Sequence, residues 1–183
     1  PASAFASGDK LYKFGLYLPI TLGNAFQSWT VEGERSGRAR RLRVALGSHV
    51  LLGAFGGLGL AVLGPFATRL LFGADVEVGH DVATWLGVTF LLVSTRISLT
   101  RHFLIPAGQV RVVFVSTMAG AALGLPLVVL GTWAVGPVGA AAAVALSEVL
   151  ATGLLVAPAW RQHDVVVAAG LRTGADPHGP VER

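Results

Sequence analysis

The chain has 183 residues, of which 53% are hydrophobic and only 13% are charged, and its formal net charge is +4. Water-soluble domains carry about a quarter charged residues, so this composition excludes a domain that is surrounded by water and favours membrane-embedded helices. Cysteine is absent, which excludes disulfides, thiolate metal sites and cysteine nucleophiles.

Five stretches of the chain are long enough to cross a membrane, which takes about 20 mostly apolar residues. In chain order the predicted helices are 4–31, 44–63, 82–105, 112–133 and 138–160, and the first is more polar than the others. The last two are separated by a short turn, so they are expected to be antiparallel neighbours. The predicted fold is therefore all-α, a polytopic membrane bundle of about five transmembrane helices.

Positive charges concentrate in alternate connections. Five arginines lie between the first two predicted helices; these are Arg35, Arg38, Arg40, Arg41 and Arg43. The same side is expected to hold Arg101, Arg111 and Arg161, whereas the opposite connection combines Arg69 with acidic residues. The positive-inside rule then places the arginine-rich side in the cytoplasm. This topology explains the net charge better than nucleic-acid binding does, so no nucleic-acid partner is expected.

Both ends of the chain lead to further expectations. Residues 161–183 are rich in glycine and proline and are predicted to be a mobile cytoplasmic tail. The chain starts at Pro1 and its one methionine is Met118, with no signal peptide before the first apolar run. We therefore expect it to be a piece of a longer protein.

Polar residues on the first predicted helix recur at spacings of three and four, which places them on one face. This polar stripe consists of Lys10, Lys13, Tyr17, Thr21, Asn24 and Ser28. Because lipid cannot satisfy polar groups, the polar stripe is expected to face other helices or a water-filled cavity. In the alternative interpretation, the lysines extend to the outer membrane surface while the amides bridge helices. We favour the cavity, because the polar stripe runs along most of the helix.

Two ionisable residues lie inside later predicted helices. Placing Arg96 in hydrocarbon costs about 2.5–3.5 kcal/mol on insertion scales. It is interpreted either as a cation on the path of an anionic substrate or as a side chain that reaches the cytoplasmic interface. Glu148 lies near the middle of its helix and must pair, take up a proton or bind an ion. An ion pair with Arg96 is the simplest structural explanation, and proton or sodium coupling is the alternative.

Glycine pairs indicate close helix packing. Gly53 and Gly57, and likewise Gly120 and Gly124, are four residues apart on one helix face. Small residues at this spacing allow neighbouring backbones to approach.

Signatures of catalysis are missing from the sequence. There is no phosphate-binding loop and no nucleophile elbow, and His49, His80 and His102 show no metal-ligand spacing. We therefore expect neither a cofactor nor a metal, and no enzymatic activity.

Several segments in this order resemble the polysaccharide and O-antigen flippase family of the multidrug/oligosaccharidyl-lipid/polysaccharide exporter superfamily. The segments are Phe5–Leu11, Leu70–Gly73, Pro106–Gln109, Gly136–Ala141 and the pair Ser147-Glu148. They are similar, respectively, to the start of a semi-polar helix, an outer loop, a short cytoplasmic turn and two parts of the final core helix. The resemblance covers about residues 3–160.

The resemblance implies a flippase for lipid-linked oligosaccharide in the bacterial inner membrane, with two six-helix lobes around a cationic cavity. Residues 1–160 would form most of the C-terminal lobe, with Lys10, Lys13, Asn24 and Arg96 lining the cavity. The implied partners are the lipid-linked oligosaccharide, membrane lipids and the N-terminal lobe. Two alternatives stay open. The first is a related exporter, either of lipid II or of drugs by cation-coupled transport. The second is a non-transporting membrane scaffold or the membrane domain of a glycosyltransferase.

Overall fold

The computed structural model of the protein describes residues 2–31 and 37–174, and these two ranges contain no β-strand. The helices are α1 (Ala2–Gly15), α2 (Tyr17–Val31), α3 (Arg38–Phe72), α4 (His80–Ser98), α5 (Val110–Val135) and α6 (Pro137–Gly174). A 3₁₀ turn over Ala74–Val76 precedes α4, and a π-helical segment over Leu99–Leu104 extends it. The predicted all-α fold is confirmed.

Four helical stretches in the described part of the chain are long and apolar enough to cross a membrane. They are Arg38–Phe72, His80–Leu104, Val110–Val135 and Pro137–Gly170. Each stretch contains one of the predicted helices, except that the predicted helix 82–105 ends one residue beyond Leu104. The chain therefore has the helices of a membrane protein.

The predicted continuous helix over 4–31 is corrected to two shorter helices. α1 ends at Gly15 and α2 begins at Tyr17. The physical cause is Pro19, which has no N–H to offer the carbonyl of Gly15 and whose ring crowds the preceding turn. With 14 and 15 residues, neither helix alone has the length of about 20 residues that crosses a bilayer.

Backbone hydrogen bonds continue through the break. Leu16 N–H donates to the carbonyl of Tyr12 over 3.1 Å, and Ile20 N–H donates to the carbonyl of Leu16 over 3.2 Å. α1 and α2 therefore form one kinked N-terminal arm, residues 2–31, which lies against α3 and α4.

The end of the last helix also differs from the prediction. α6 does not stop near residue 160 but continues to Gly174, since its backbone hydrogen bonding persists beyond the apolar run. The segment 161–174, predicted as the start of a mobile tail, is helical. Residues 175–183 lie outside the described residues.

α4 is the central helix of the bundle. It packs between α3 and α6, and the N-terminal arm crosses it. In the most apolar stretch of His80–Leu104, 56% of the residues are buried, against 17% for α5. α3 and α5 instead expose large apolar side chains such as Phe55, Phe66, Phe114 and Leu125. This is the surface that lipid hydrocarbon requires.

Glycines bring α3 and α4 together. A Cβ atom on Gly53 would lie 3.0 Å from the Cα of Leu91, and Gly57 faces the backbone of Gly87. Residue numbers rise along α3 while they fall along α4, so the two helices are antiparallel and the packing role predicted for this glycine pair is confirmed.

The second predicted glycine pair packs α5 against α6. A Cβ atom would lie 2.9 Å from the Ala151 Cβ if added to Gly120, and 2.9 Å from the Ser147 Cβ if added to Gly124. The connection between the helices is Gly136 alone, with a φ of +72° that glycine tolerates. The predicted antiparallel neighbours are confirmed.

The bundle has an apolar core cluster at each end. Val82 and Val138 belong to one cluster, and Leu99 and Leu155 belong to the other. α4 and α6 therefore run parallel. The second cluster marks the end at which α3 begins, the π-helical segment finishes and α5 begins, which is the arginine-rich end.

Candidate functional site

Arg96 on α4 and Glu148 on α6 form an ion pair. Arg96 Nε lies 2.9 Å from Glu148 Oε2, and Nη2 donates a hydrogen bond to Oε1 over 3.3 Å. The two side chains are 27% and 19% exposed. One turn away, the Thr152 hydroxyl donates to the carbonyl of Leu92 over 3.5 Å. The pairing expected from the sequence is confirmed, so the charges of Arg96 and Glu148 each have a partner.

A groove between α5 and α6 opens onto the ion pair. Its volume is about 370 Å³, and its lining includes Gly120, Gly124 and Ser147 as well as Arg96 and Glu148. The glycines contribute to the space because they have no side chains. A charged pair at the wall of a mostly apolar groove can orient a ligand that carries both a charged and an apolar part.

Arg96 also borders a second cavity, of about 160 Å³. Thr100 and Arg101 line it together with Arg96. The Arg96 guanidinium is already paired with Glu148, and that of Arg101 donates to Asn24. An anion in this cavity would therefore depend on their remaining N–H groups and on the Thr100 hydroxyl.

Tyr12 connects the N-terminal arm to the ion pair, and sequence reasoning missed it. Its side chain is 8% exposed and meets Phe90 edge-on, with 6.4 Å between ring centroids. It lies within electrostatic range of both Glu148 and Arg96. Tyr12 is therefore a buried residue of the N-terminal arm that lies near the ion pair.

A signal for this orientation is present in the sequence. Gly8, Tyr12, Gly15, Pro19 and Gly23 recur at spacings of three and four on the face opposite the polar stripe. The structure packs this face, which includes three glycines, against the bundle. Small residues mark the packed face of a membrane helix better than apolar ones do.

The polar stripe is exposed along its length, and its Asn24 accepts a hydrogen bond from Arg101. All six residues are exposed; they are Lys10, Lys13, Tyr17, Thr21, Asn24 and Ser28. Lys13 Nζ lies 2.6 Å from Asp9 Oδ2. Lys10 Nζ lies 5.9 Å from the centroid of the Phe72 ring, a cation–π distance. Neither contact covers the polar stripe.

The predicted site residues are distributed over separate cavities. Lys10, Lys13 and Tyr17 line one of about 630 Å³, and Asn24 and Ser28 line another of about 420 Å³. The ion pair borders neither of them. The residues predicted to form one substrate cavity are therefore not gathered into one site by the described residues.

The structure brings together two histidines whose spacing in the sequence indicates no site. The ring centroids of His49 on α3 and His102 in the π-helical segment are 5.5 Å apart. Within residues 2–31 and 37–174, no group of three or more histidine, aspartate or glutamate side chains is placed to hold a metal ion.

Neither a protein-family model, nor a curated protein sequence, nor a solved structure matches this chain. The resemblance to flippases therefore rests on the segments quoted from the sequence, and the helical fold and the positions of the polar groups rest on the structure.

Proposed function

We propose that this chain is part of a membrane transporter that moves a lipid-linked oligosaccharide across the bacterial inner membrane by alternating access. The observation that supports this most directly is the exposure of the polar stripe. Polar groups that face lipid cost several kcal/mol each, so the polar stripe requires a water-filled cavity or a second helical lobe. In a two-lobe transporter, the polar stripe would face both a water-filled cavity and the second lobe.

The charges of these surfaces suit an anionic substrate. Lys10 and Lys13 lie on the polar stripe, and Arg96 and Arg101 border a common cavity. Such groups can hold the diphosphate of a lipid-linked sugar while its lipid tail stays in the bilayer. The arginine-rich end of the bundle then faces the cytoplasm, as does the end of α6.

A second candidate function is a non-transporting membrane scaffold. One observation favours it: Arg96 and Glu148 neutralise each other, as charges with a purely structural role do. In that case the polar stripe binds a partner helix and no substrate passes along it.

A transport assay in the bacterial host tests the proposal. We expect Lys13→Ala and Arg96→Ala to lower the export of lipid-linked oligosaccharide about tenfold, the effect of losing about 1.4 kcal/mol of binding. Lys10→Ala, nearer the interface, should have a smaller effect. Arg69→Ala removes an exposed cation outside the polar stripe and serves as the matched control. Normal export by both Lys13→Ala and Arg96→Ala at equal membrane levels would contradict the proposal.

A further inference from the structure

His49 and His102 form a closed polar site beneath α2. Both side chains are fully buried, and their rings meet at 62° with 5.5 Å between centroids. α2 covers the pair: Thr30 Oγ1 lies 3.4 Å from His102 Nδ1, and Phe26 packs edge-on against the His102 ring at 6.3 Å. Gly23 lies beside the pair: a Cβ there would be 3.6 Å from His49 Nε2, an ordinary contact, but only 3.0 Å from Ile97 Cγ2.

The hydrogen bonds of Thr30 determine which nitrogen of His102 carries its hydrogen. Thr30 Oγ1 lies 2.9 Å from the carbonyl of Phe26 and 3.0 Å from that of Gln27. Its one hydrogen goes to these carbonyls, which can only accept. The hydroxyl oxygen is then left to accept from His102 over 3.4 Å, which favours a hydrogen on Nδ1 of His102.

The same reasoning applies to His49. Its Nδ1 lies 2.9 Å from the carbonyl of Ala45, so Nδ1 carries the hydrogen. The Nε2 atoms of His49 and His102 are then both hydrogen-bond acceptors, and both are buried without a partner among the described residues. Two unsatisfied acceptors in one closed site call for a ligand that donates.

Among the described residues, one cation faces this site. Arg101 acts electrostatically on both rings, and its guanidinium donates a hydrogen bond to Asn24 of α2. The other described groups around the pair are uncharged: Thr30 from α2, Ala45 from α3, and Ser94 from α4, which donates to the carbonyl of His49 over 2.7 Å. The carbonyl of Pro19 lies close enough to the His49 ring to interact with its charged form.

We propose that His49 and His102 bind a proton, and that binding it releases α2 from the π-helical segment. A proton on Nε2 places a second positive charge next to Arg101 in a site closed to water, and a buried charge without a partner is costly. Moving α2 aside admits water and separates the charges. α2 is thus held on the bundle near neutral pH and released in acid, as in other histidine-based switches.

The π-helical segment makes this release possible. Its Arg101 contacts Asn24, and its His102 contacts both Thr30 and Phe26. These polar and aromatic contacts with α2 therefore involve two adjacent residues of the segment. Short π-helical segments often occur at functional sites. The inference needs no transport activity, so it stands or falls separately from the proposed function.

A distance measurement tests the release directly. Because the chain has no cysteine, spin labels can be placed at Gln27→Cys on α2 and Val115→Cys on α5, both exposed. In the whole chain reconstituted in lipid nanodiscs, we expect the label distance to become longer and broader between about pH 8 and about pH 4. This range extends below the ordinary titration of histidine, because a charged ring is disfavoured in a buried site beside Arg101. An unchanged distance would overturn the proposal.

Substitutions show which histidines are responsible. His49→Gln and His102→Gln should each abolish the pH-dependent change, whereas His80→Gln, which removes an exposed histidine at the other end of α4, should leave it intact. A change that persists in both of the first two variants would contradict the assignment.

A measurement on the unsubstituted chain covers the case in which those variants do not fold. Nitrogen-15 NMR of labelled histidines should show two rings with hydrogen on Nδ1 at about pH 8, and these two should gain a proton over the pH range in which the distance changes. The proposal would be overturned if fewer than two rings carried hydrogen on Nδ1, or if these two rings stayed neutral while the distance changed.

Discussion

Arg96 lies about one helical turn further along the bundle than Glu148, measured along the parallel helices α4 and α6. Its side chain extends back toward the start of α4 to meet the Glu148 carboxylate. The parallel course of α4 and α6 shows this offset, as does the hydrogen bond from Thr152 to the carbonyl of Leu92. Helical side chains lean toward the helix N-terminus, so a long arginine bridges the offset without distortion. The ion pair thereby fixes the axial position of α6 against α4.

Removing one partner of this pair should destabilise the protein more than removing both. We expect Arg96→Gln or Glu148→Gln alone to lower the free energy of unfolding by about 1–3 kcal/mol, less than the roughly 3–5 kcal/mol of a fully buried pair. The double variant should lose less than the sum. Thermal unfolding in detergent measures this, with Arg43→Gln, an exposed arginine, as control. Additive losses would show that the pair is not coupled.

The contact between Gly57 and Gly87 should tolerate no side chain. Because Gly57 faces the Gly87 backbone, Gly57→Ala must push α3 and α4 apart, and we expect a loss of about 1–3 kcal/mol, typical of overpacking. Gly59 on the same helix has open space around its Cβ position, so Gly59→Ala should be neutral or slightly stabilising. Equal melting temperatures for the two variants would contradict this account of the interface.

The kink at Pro19 should be needed for both halves of the N-terminal arm to pack. Pro19→Ala restores an N–H for the carbonyl of Gly15 and favours a straight helix, in which Tyr12 and Gly23 cannot both reach their sites. We expect a lower melting temperature. Pro126→Ala, at an exposed position of the uninterrupted α5, should not lower it. If Pro19→Ala is as stable as the parent chain, the kink has no such role.

The membrane orientation predicted from the arginines can be measured with single cysteines. Ala74 and Ala107 are exposed residues at opposite ends of α4. Under the positive-inside rule, Ala74→Cys should react with a membrane-impermeant thiol reagent in intact cells and Ala107→Cys should not. The absence of native cysteine removes background labelling. The reverse pattern would invert the orientation.

The sequence predicted the long helices because a segment inserts into a membrane only when its apolar run is long enough. It did not predict their ends: hydrogen bonding continues past the apolar run, so α3 begins at Arg38 and α6 continues to Gly174. The Arg96–Glu148 pair was foreseeable, because charges inside a membrane need partners. The meeting of His49 with His102 was not, since it depends on the axial position of α3 against α4 and on a local π-helical turn.

The glycine contacts between α5 and α6 also determine which parts of the protein can move. Gly131 and Gly139 bring the two backbones into contact next to the one-residue turn at Gly136, so we expect this end of the hairpin to shift as one rigid body. α5 packs mainly against α6, and the Arg96–Glu148 pair joins α6 to α4. A movement of the hairpin along α4 would therefore have to break this ion pair.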